Sequence, residues 1–182
     1  MTPHLATRLN LLGLLAISVV LLVAFFDQLV YHDMPCPLCI LQRAGLIAAG
    51  FGLVLNVSFG PRPSHYAIMI LGALTAAFVS TRQILLHIVP GSGSYGDPFL
   101  GLHYYTWVLI VSVLIIAGTA GMLMFDRQFT DEKPEGTLKG WSLAVFALFG
   151  LLALGNGIST VLECAGGLCP DNPTGYLLLP DA

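Results

Sequence analysis

The stretch Pro35-Cys36-Pro37-Leu38-Cys39-Ile40-Leu41-Gln42-Arg43 places a Cys-x-x-Cys pair directly before a long apolar segment. Proline fits the first position of a helix, where its missing N–H is no loss, so Pro37 predicts a helix start with Cys36 as its N-cap. Cys39 then lies in the first turn, among free backbone N–H groups at the positive end of the helix dipole. Because these groups favour a thiolate, the stretch indicates a redox-active dithiol at the mouth of a helix.

The overall composition is that of an integral membrane protein. Hydrophobic residues make up 56% of the 182 residues and charged residues only 9%, whereas a soluble domain carries about 25% charged residues. A net charge of −3 on so few ionisable groups leaves no basic face, which excludes nucleic acid as a partner. Because so little of the chain lies outside the apolar segments, we expect one integral membrane domain over residues 1–182.

Five apolar segments reach the length of about 20 residues that a membrane-spanning helix needs. They cover residues 9–31, 38–59, 66–89, 102–125 and 141–162. The first is too long for the apolar core of a secretion signal and lacks an Ala-x-Ala-like cleavage site before Asp33, so we interpret it as a helix. The predicted fold is therefore all-α, a polytopic bundle of membrane helices.

Lysine and arginine are distributed unevenly between the two sides of the predicted bundle. One side holds Arg8, Arg62, Arg127, Lys133 and Lys139, whereas the loops on the other side hold neither residue type. Because basic loops stay in the cytoplasm, we expect a multi-pass protein with a cytoplasmic N-terminus and an outer C-terminus.

All four cysteines, Cys36, Cys39, Cys164 and Cys169, fall on the outer side, which in bacteria is an oxidising space. Structural disulfides or a metal site are the alternatives to redox activity. The spacings Cys-x-x-Cys and Cys-x-x-x-x-Cys lack the histidine pattern of a zinc site, so we expect no metal. A disulfide that closes so small a loop removes little chain entropy, which disfavours a purely structural role.

Arg43 is four residues after Cys39, on the same predicted helix face and one turn deeper. Its charge favours a thiolate and suits the carbonyl oxygen of a lipid-soluble carrier. The alternative is an arginine that reaches out to headgroup phosphates. A buried arginine costs about 2.5–3.5 kcal/mol on insertion scales, which argues for a specific role.

Other polar and aromatic residues support several interpretations. Arg82, inside the third segment, is expected to pair with Asp27, since charges at depth need partners. His87 and His103 flank an outer loop, where they either pass protons or are simply solvated. The nearby Tyr104, Tyr105 and Trp107 are typical of the aromatic belt at a membrane interface.

The motif Pro-Cys-x-x-Cys-x-x-x-Arg at the second helix resembles the DsbB family of membrane oxidases. Thr81-Arg82-Gln83 and Phe99-Leu100-Gly101-Leu102, the latter leading to Trp107, resemble it more weakly, and the likeness covers roughly residues 9–125. The resemblance implies that Cys36 and Cys39 form the quinone-coupled pair, with Cys39 nearer the quinone and Arg43 binding it. It also implies ubiquinone or menaquinone as cofactor, a periplasmic DsbA-like thiol oxidase as partner, and the bacterial inner membrane as location.

The chain departs from the family in the position of its second cysteine pair. The family carries that pair in a long loop between the third and fourth helices, but here residues 90–101 contain no cysteine. A fifth helix, added to a four-helix core, instead delivers Cys164 and Cys169 to the same side. We interpret this pair, in a loop with two glycines, as a relocated shuttle between the partner and Cys36–Cys39. The alternative is a small structural disulfide that fixes the tail.

The predicted activity is thus a thiol:quinone oxidoreductase that generates protein disulfides. One rival is a reductase like the vitamin K epoxide reductase group, although the motif there sits near the end of a later helix. The other rival is a non-catalytic membrane protein with structural disulfides.

Overall fold

The computed structural model describes residues 1–89, 91, 93–96, 98–129 and 140–179. It contains five long helices, each long and apolar enough to cross a membrane, which confirms the predicted all-α, polytopic bundle. In chain order they are α1 (Pro3–Val30), α2 (Pro37–Phe59), α3 (Pro63–Leu86), α4 (Tyr104–Leu123) and α5 (Trp141–Cys164), with a short 3-10 turn at Asp126–Gln128.

Proline begins three of the helices, and capping explains where the boundaries differ from the predicted ones. α1 starts at Pro3 rather than at residue 9, because the Thr2 hydroxyl accepts a hydrogen bond of 3.3 Å from the N–H of Leu5. α3 likewise starts at its proline, Pro63. α5 continues two residues beyond the predicted end, until Ala165 adopts a left-handed conformation with φ 51°.

α2 and α3 approach each other closely through small residues. A Cβ atom at Gly45 would lie 2.8 Å from the backbone nitrogen of Ala76 and 2.9 Å from the carbonyl oxygen of Gly72. Close backbone approach of this kind is how membrane helices gain packing energy in the absence of a hydrophobic driving force. α1 packs against α2 and α5, and α4 packs mainly against α3.

A polar network fixes the end of the bundle that lies away from the cysteines. The Tyr66 hydroxyl accepts from Asn10 Nδ2 at 3.1 Å and donates to Gln128 Oε1 at 2.8 Å, and Asn56 Nδ2 donates to Asn10 Oδ1 at 3.0 Å. All four side chains are buried, and each finds a partner. This network therefore joins α1, α2, α3 and the 3-10 turn at one end of the bundle.

Candidate functional site at the cysteine end

The Cys36–Cys39 disulfide lies at the start of α2. Cys36 is the N-cap, and its Sγ accepts a hydrogen bond of 3.1 Å from the backbone N–H of Cys39, which confirms the predicted helix start. Cys36 is only 2% exposed, whereas Cys39 is half-buried. Of the two sulfurs, Cys39 is therefore the more accessible.

A buried carboxamide from α3, Gln83, lies against this disulfide and is bound by a second one from α2, Gln42. Gln83 Nε2 is 3.3 Å from Cys36 Sγ and 3.6 Å from Cys39 Sγ. Gln83 Oε1 accepts a hydrogen bond of 2.6 Å from Gln42 Nε2. Neither glutamine was predicted to have a role, although polar residues inside membrane helices are often functional.

Arg43 points into the bundle rather than toward lipid headgroups. Its guanidinium donates to Gln28 Oε1 at 2.6 Å, to the carbonyl oxygen of Ala24 at 2.9 Å and to Asn156 Oδ1 at 3.2 Å. A guanidinium carries five N–H donors, so two remain without a protein acceptor among the described residues. The arginine is thus held from α1 and α5 while keeping donors for a further oxygen.

Cys39 and Arg43 line the same cleft, which has a volume of about 100 Å³ and lies between α1, α2 and α4. Its walls are largely apolar and aromatic, and Tyr95 and Gly96 of the α3–α4 connection cover it. Further lining residues are Val20, Leu21, Leu46, Tyr105, Trp107 and Val108. An apolar cleft with a few convergent polar groups is typical of a small-molecule site. Among the described residues, no group of three or more His, Cys, Asp or Glu side chains is arranged to hold a metal ion.

Tyr105, at the start of α4, is only 6% exposed and lines the cleft, so its ring faces the interior of the bundle. Its ring stacks between those of His87 and His103, with centroid distances of 5.8 and 5.3 Å. Tyr104 and Trp107, also expected in the belt, line the cleft as well. The two histidines therefore contact the Tyr105 ring on both of its faces.

The expected pairing of Arg82 with Asp27 is not what the structure contains. Arg82 is exposed on α3, whereas Asp27 lines the cleft on α1, and no ion pair joins them in the part of the chain described. Asp27 Oδ2 is buried without a hydrogen-bond partner there. The carboxylate instead faces the same cleft as Arg43, whose charge it attracts.

The buried face of α5 contributes polar groups to this end of the bundle. Asn156, Ser159 and Glu163 recur at helical spacing, and all three are buried. Asn156 binds Arg43, and Ser159 Oγ accepts a hydrogen bond of 2.6 Å from Gln28 Nε2. Both carboxylate oxygens of Glu163 are buried with no hydrogen-bond partner among the described residues, and Glu163 and Arg43 attract each other electrostatically.

The tail after α5 folds back over the cysteine end. The Tyr176 hydroxyl accepts a hydrogen bond of 3.0 Å from Gln28 Nε2, and the backbone N–H of Leu178 donates to the carbonyl oxygen of Leu162 at 3.0 Å. The Tyr95 hydroxyl lies 2.7 Å from the carbonyl oxygen of Asp171. The tail is therefore joined to α1, to α5 and to the connection that covers the cleft.

The second disulfide, Cys164–Cys169, differs from the predicted loop pair. Cys164 is the last residue of α5 and 5% exposed, so only Cys169 belongs to the loop. Cys169 is half-buried, and the preceding Leu168 is 98% exposed. We expected both cysteines to move with the loop. Because α5 continues through Cys164, only Cys169 belongs to a segment that can move in this way.

Comparisons with known proteins identify the relatives of this chain. The family model described as Disulfide bond formation protein DsbB matches residues 6–94. Disulfide bond formation protein B of Polaromonas naphthalenivorans (strain CJ2) is 32% identical over 153 residues, which cover 80% of this chain and 88% of the relative. The protein of the same name from Verminephrobacter eiseniae (strain EF01-2) is 30% identical over 154 residues, or 81% and 85% of the two chains. No solved structure gives a significant match.

A multi-pass helical bundle with a Cys-x-x-Cys disulfide at the edge of an apolar cleft, together with these relatives, defines a membrane oxidoreductase that forms disulfide bonds. The chain belongs to the DsbB family. The family model ends before α4, so it does not include the Cys164–Cys169 pair.

Proposed function

We propose that this protein oxidises a DsbA-like thiol protein of the periplasm and passes the two electrons to a membrane quinone. The single observation that carries the proposal is that Cys39 and Arg43 line one apolar cleft. The free donors of Arg43 suit a quinone carbonyl oxygen, and the aromatic walls suit its ring. Either ubiquinone or menaquinone would satisfy these groups.

The first exchange takes place at Cys164–Cys169. A thiolate of the partner attacks Cys169, the more exposed sulfur, and the Cys164–Cys169 bond breaks as a mixed disulfide forms. The partner's second cysteine then attacks the mixed disulfide. The partner leaves with a disulfide, and Cys164 and Cys169 remain as a dithiol.

The second exchange moves the electron pair to Cys36–Cys39. A thiolate of the reduced C-terminal pair attacks Cys36, which releases Cys39 as a thiolate facing the cleft. Closure of Cys164–Cys169 then leaves Cys36 and Cys39 both reduced. A quinone held beside Arg43 would supply the acceptor for two electrons and two protons, and Cys36 and Cys39 would form their disulfide again.

Helix polarity supports this direction of electron flow. Cys36 and Cys39 lie at the N-terminus of α2, where the helix dipole stabilises a thiolate, whereas Cys164 lies at the C-terminus of α5, where the dipole opposes one. A pair whose reduced form is stabilised is the stronger oxidant. The pair on α2 should therefore accept electrons from the pair on α5.

The proposed location is the bacterial inner membrane, with the N-terminus in the cytoplasm and the C-terminus in the periplasm. Arg8 and Arg62 lie at the end of the bundle opposite the cysteines, which supports this orientation. Lys133 and Lys139, also used in the prediction, lie outside the described residues.

A second candidate keeps the enzyme but makes Cys164–Cys169 a structural clamp. The burial of Cys164 and the contacts of Tyr176 and Leu178 that hold the tail favour it. In that case the partner would attack Cys36–Cys39 directly.

Anaerobic quinone reduction by the purified protein separates these models. The wild type and Cys164→Ser/Cys169→Ser are each supplied with a reduced DsbA-like protein and, separately, with a small dithiol. The shuttle model predicts that the double variant loses quinol formation only with the protein donor. Equal rates in both proteins would establish the clamp, and no quinol from the wild type would refute the proposed function.

A further inference from the structure

We propose that Gln83, oriented by Gln42, is a positioning residue that stabilises the reduced form of Cys36–Cys39 and so makes this pair a stronger oxidant. The inference rests on the proposed function only in taking this pair as the one coupled to the quinone. Among the described residues, Gln83 is the carboxamide whose nitrogen lies within hydrogen-bond distance of cysteine sulfurs. Its basis is the arrangement of two amides and two sulfur atoms.

The Gln83 carboxamide nitrogen reaches both sulfurs at once. Its distances are 3.3 Å to Cys36 Sγ and 3.6 Å to Cys39 Sγ, within the range of hydrogen bonds to sulfur. The side chain is fully buried, so water does not compete for these donors. The amide thus has one N–H for each cysteine.

Gln42 determines which end of the Gln83 amide faces the disulfide. Gln42 Nε2 donates to Gln83 Oε1 at 2.6 Å, so that the oxygen lies 4.0 Å from Cys39 Sγ while the NH₂ group is closer to both sulfurs. If the amide turned over, its NH₂ group would face that of Gln42, and two donors would oppose each other. Gln42 is itself buried, so the arrangement is fixed from both sides.

Reduction changes the strength of these contacts. A disulfide sulfur is a weak acceptor, but when two electrons break the S–S bond, one sulfur becomes an anionic thiolate and the other a thiol. Hydrogen bonds to an ionised acceptor are about twice as strong as neutral ones. The Gln83 donors therefore favour the reduced pair over the disulfide, in addition to the helix dipole of α2.

A purely structural role for the two glutamines predicts a different result. Their mutual hydrogen bond joins α2 and α3, which already pack through Gly45 and Gly72. Removing a structural bond would lower the thermal stability. It would not alter the equilibrium between the disulfide and the dithiol.

The test is the reduction potential of Cys36–Cys39 in the full-length Cys164→Ser/Cys169→Ser protein, where only this pair titrates. The protein is equilibrated with dithiothreitol buffers, and free thiols are trapped and counted. Gln83→Met keeps the side-chain length but removes both N–H donors, and Gln83→Leu provides a second variant should the first fail to fold. Gln128→Leu is the matched control, because it also removes a fully buried amide but at the opposite end of the bundle.

We expect Gln83→Met to shift the equilibrium toward the disulfide about tenfold, which corresponds to about 30 mV. Gln42→Leu should give a smaller shift in the same direction, because the Gln83 amide remains but is free to turn. Gln128→Leu should leave the potential unchanged. The proposal would be overturned if the equilibrium constant between disulfide and dithiol in Gln83→Met lay within twofold of the parent's. Neither quinone nor a partner protein enters the measurement, so this result is independent of whether quinone reduction occurs.

Discussion

Arg43 on α2 donates a hydrogen bond of 3.2 Å to Asn156 on α5. The fifth helix, which lies beyond the part of the chain matched by the family model, therefore holds the arginine of the candidate cleft. The same helix also holds Arg43 indirectly. Ser159 accepts a hydrogen bond from the Gln28 side chain, and Gln28 in turn accepts one from Arg43. The added helix is thus part of the site and not only a carrier for the second cysteine pair.

Asn156→Leu should weaken quinone binding, because it removes one of the three acceptors that orient Arg43. A hydrogen bond to a charged group contributes about 1.5–3 kcal/mol, so the KM for quinone should rise roughly tenfold or more. Steady-state quinone reduction with a small dithiol measures this. Thr160→Val is the matched control, since among the described residues the Thr160 hydroxyl bonds to the backbone oxygen of Asn156 within α5 and to no other group. An unchanged KM in Asn156→Leu would mean that α5 does not position the arginine.

The two disulfides should differ in reduction potential, with Cys36–Cys39 the more oxidising. We expect this order because Cys36–Cys39 lies at a helix N-terminus, whereas Cys164 lies at a helix C-terminus. Each pair is measured alone, in a protein whose other pair is replaced by serine, by equilibration with thiol buffers. A more negative potential for Cys36–Cys39 would contradict the proposed direction of electron flow.

Tyr176→Phe should loosen the tail without disturbing the cleft. The variant loses the hydroxyl that binds Gln28, while Gln28 keeps its bond to Ser159. A net hydrogen bond contributes about 0.5–1.5 kcal/mol, so opening of the tail should increase about two- to tenfold. Hydrogen exchange of residues 171–179 reports this, with Tyr31→Phe at an exposed position as control. Unchanged exchange would show that the hydroxyl does not hold the tail.

Gly45→Ala should destabilise the bundle, because the new Cβ would meet the backbone of α3 at 2.8 Å. Gly121→Ala on α4 is the matched control, since nothing lies within 4 Å of its Cβ position. Overpacking costs about 1–3 kcal/mol, and thermal unfolding in detergent should detect the difference between the two variants. Equal melting temperatures would mean that the close approach of α2 and α3 at Gly45 does not contribute to the stability of the bundle.

The sequence predicted those features that depend on local chemistry. Pro37 and Cys36 determine the start of α2 through helix capping, and the five apolar segments determine the class of fold. The contact of Gln83 with the sulfurs could not be predicted from the sequence, because it depends on how closely α2 packs on α3. The position of Cys164 was misjudged for a related reason: the predicted helix ended at residue 162, and the turn that continues it is fixed by the tail.

Cys36 serves α2 as its capping residue through the same sulfur that takes part in the disulfide. The Cys36 sulfur keeps lone pairs when its bond to Cys39 is broken, so it can still accept the hydrogen bond from the Cys39 N–H. The first turn of the helix is therefore retained in both redox states. Such a centre exchanges electrons with little rearrangement of its own backbone, so turnover would be limited by the arrival of its partners.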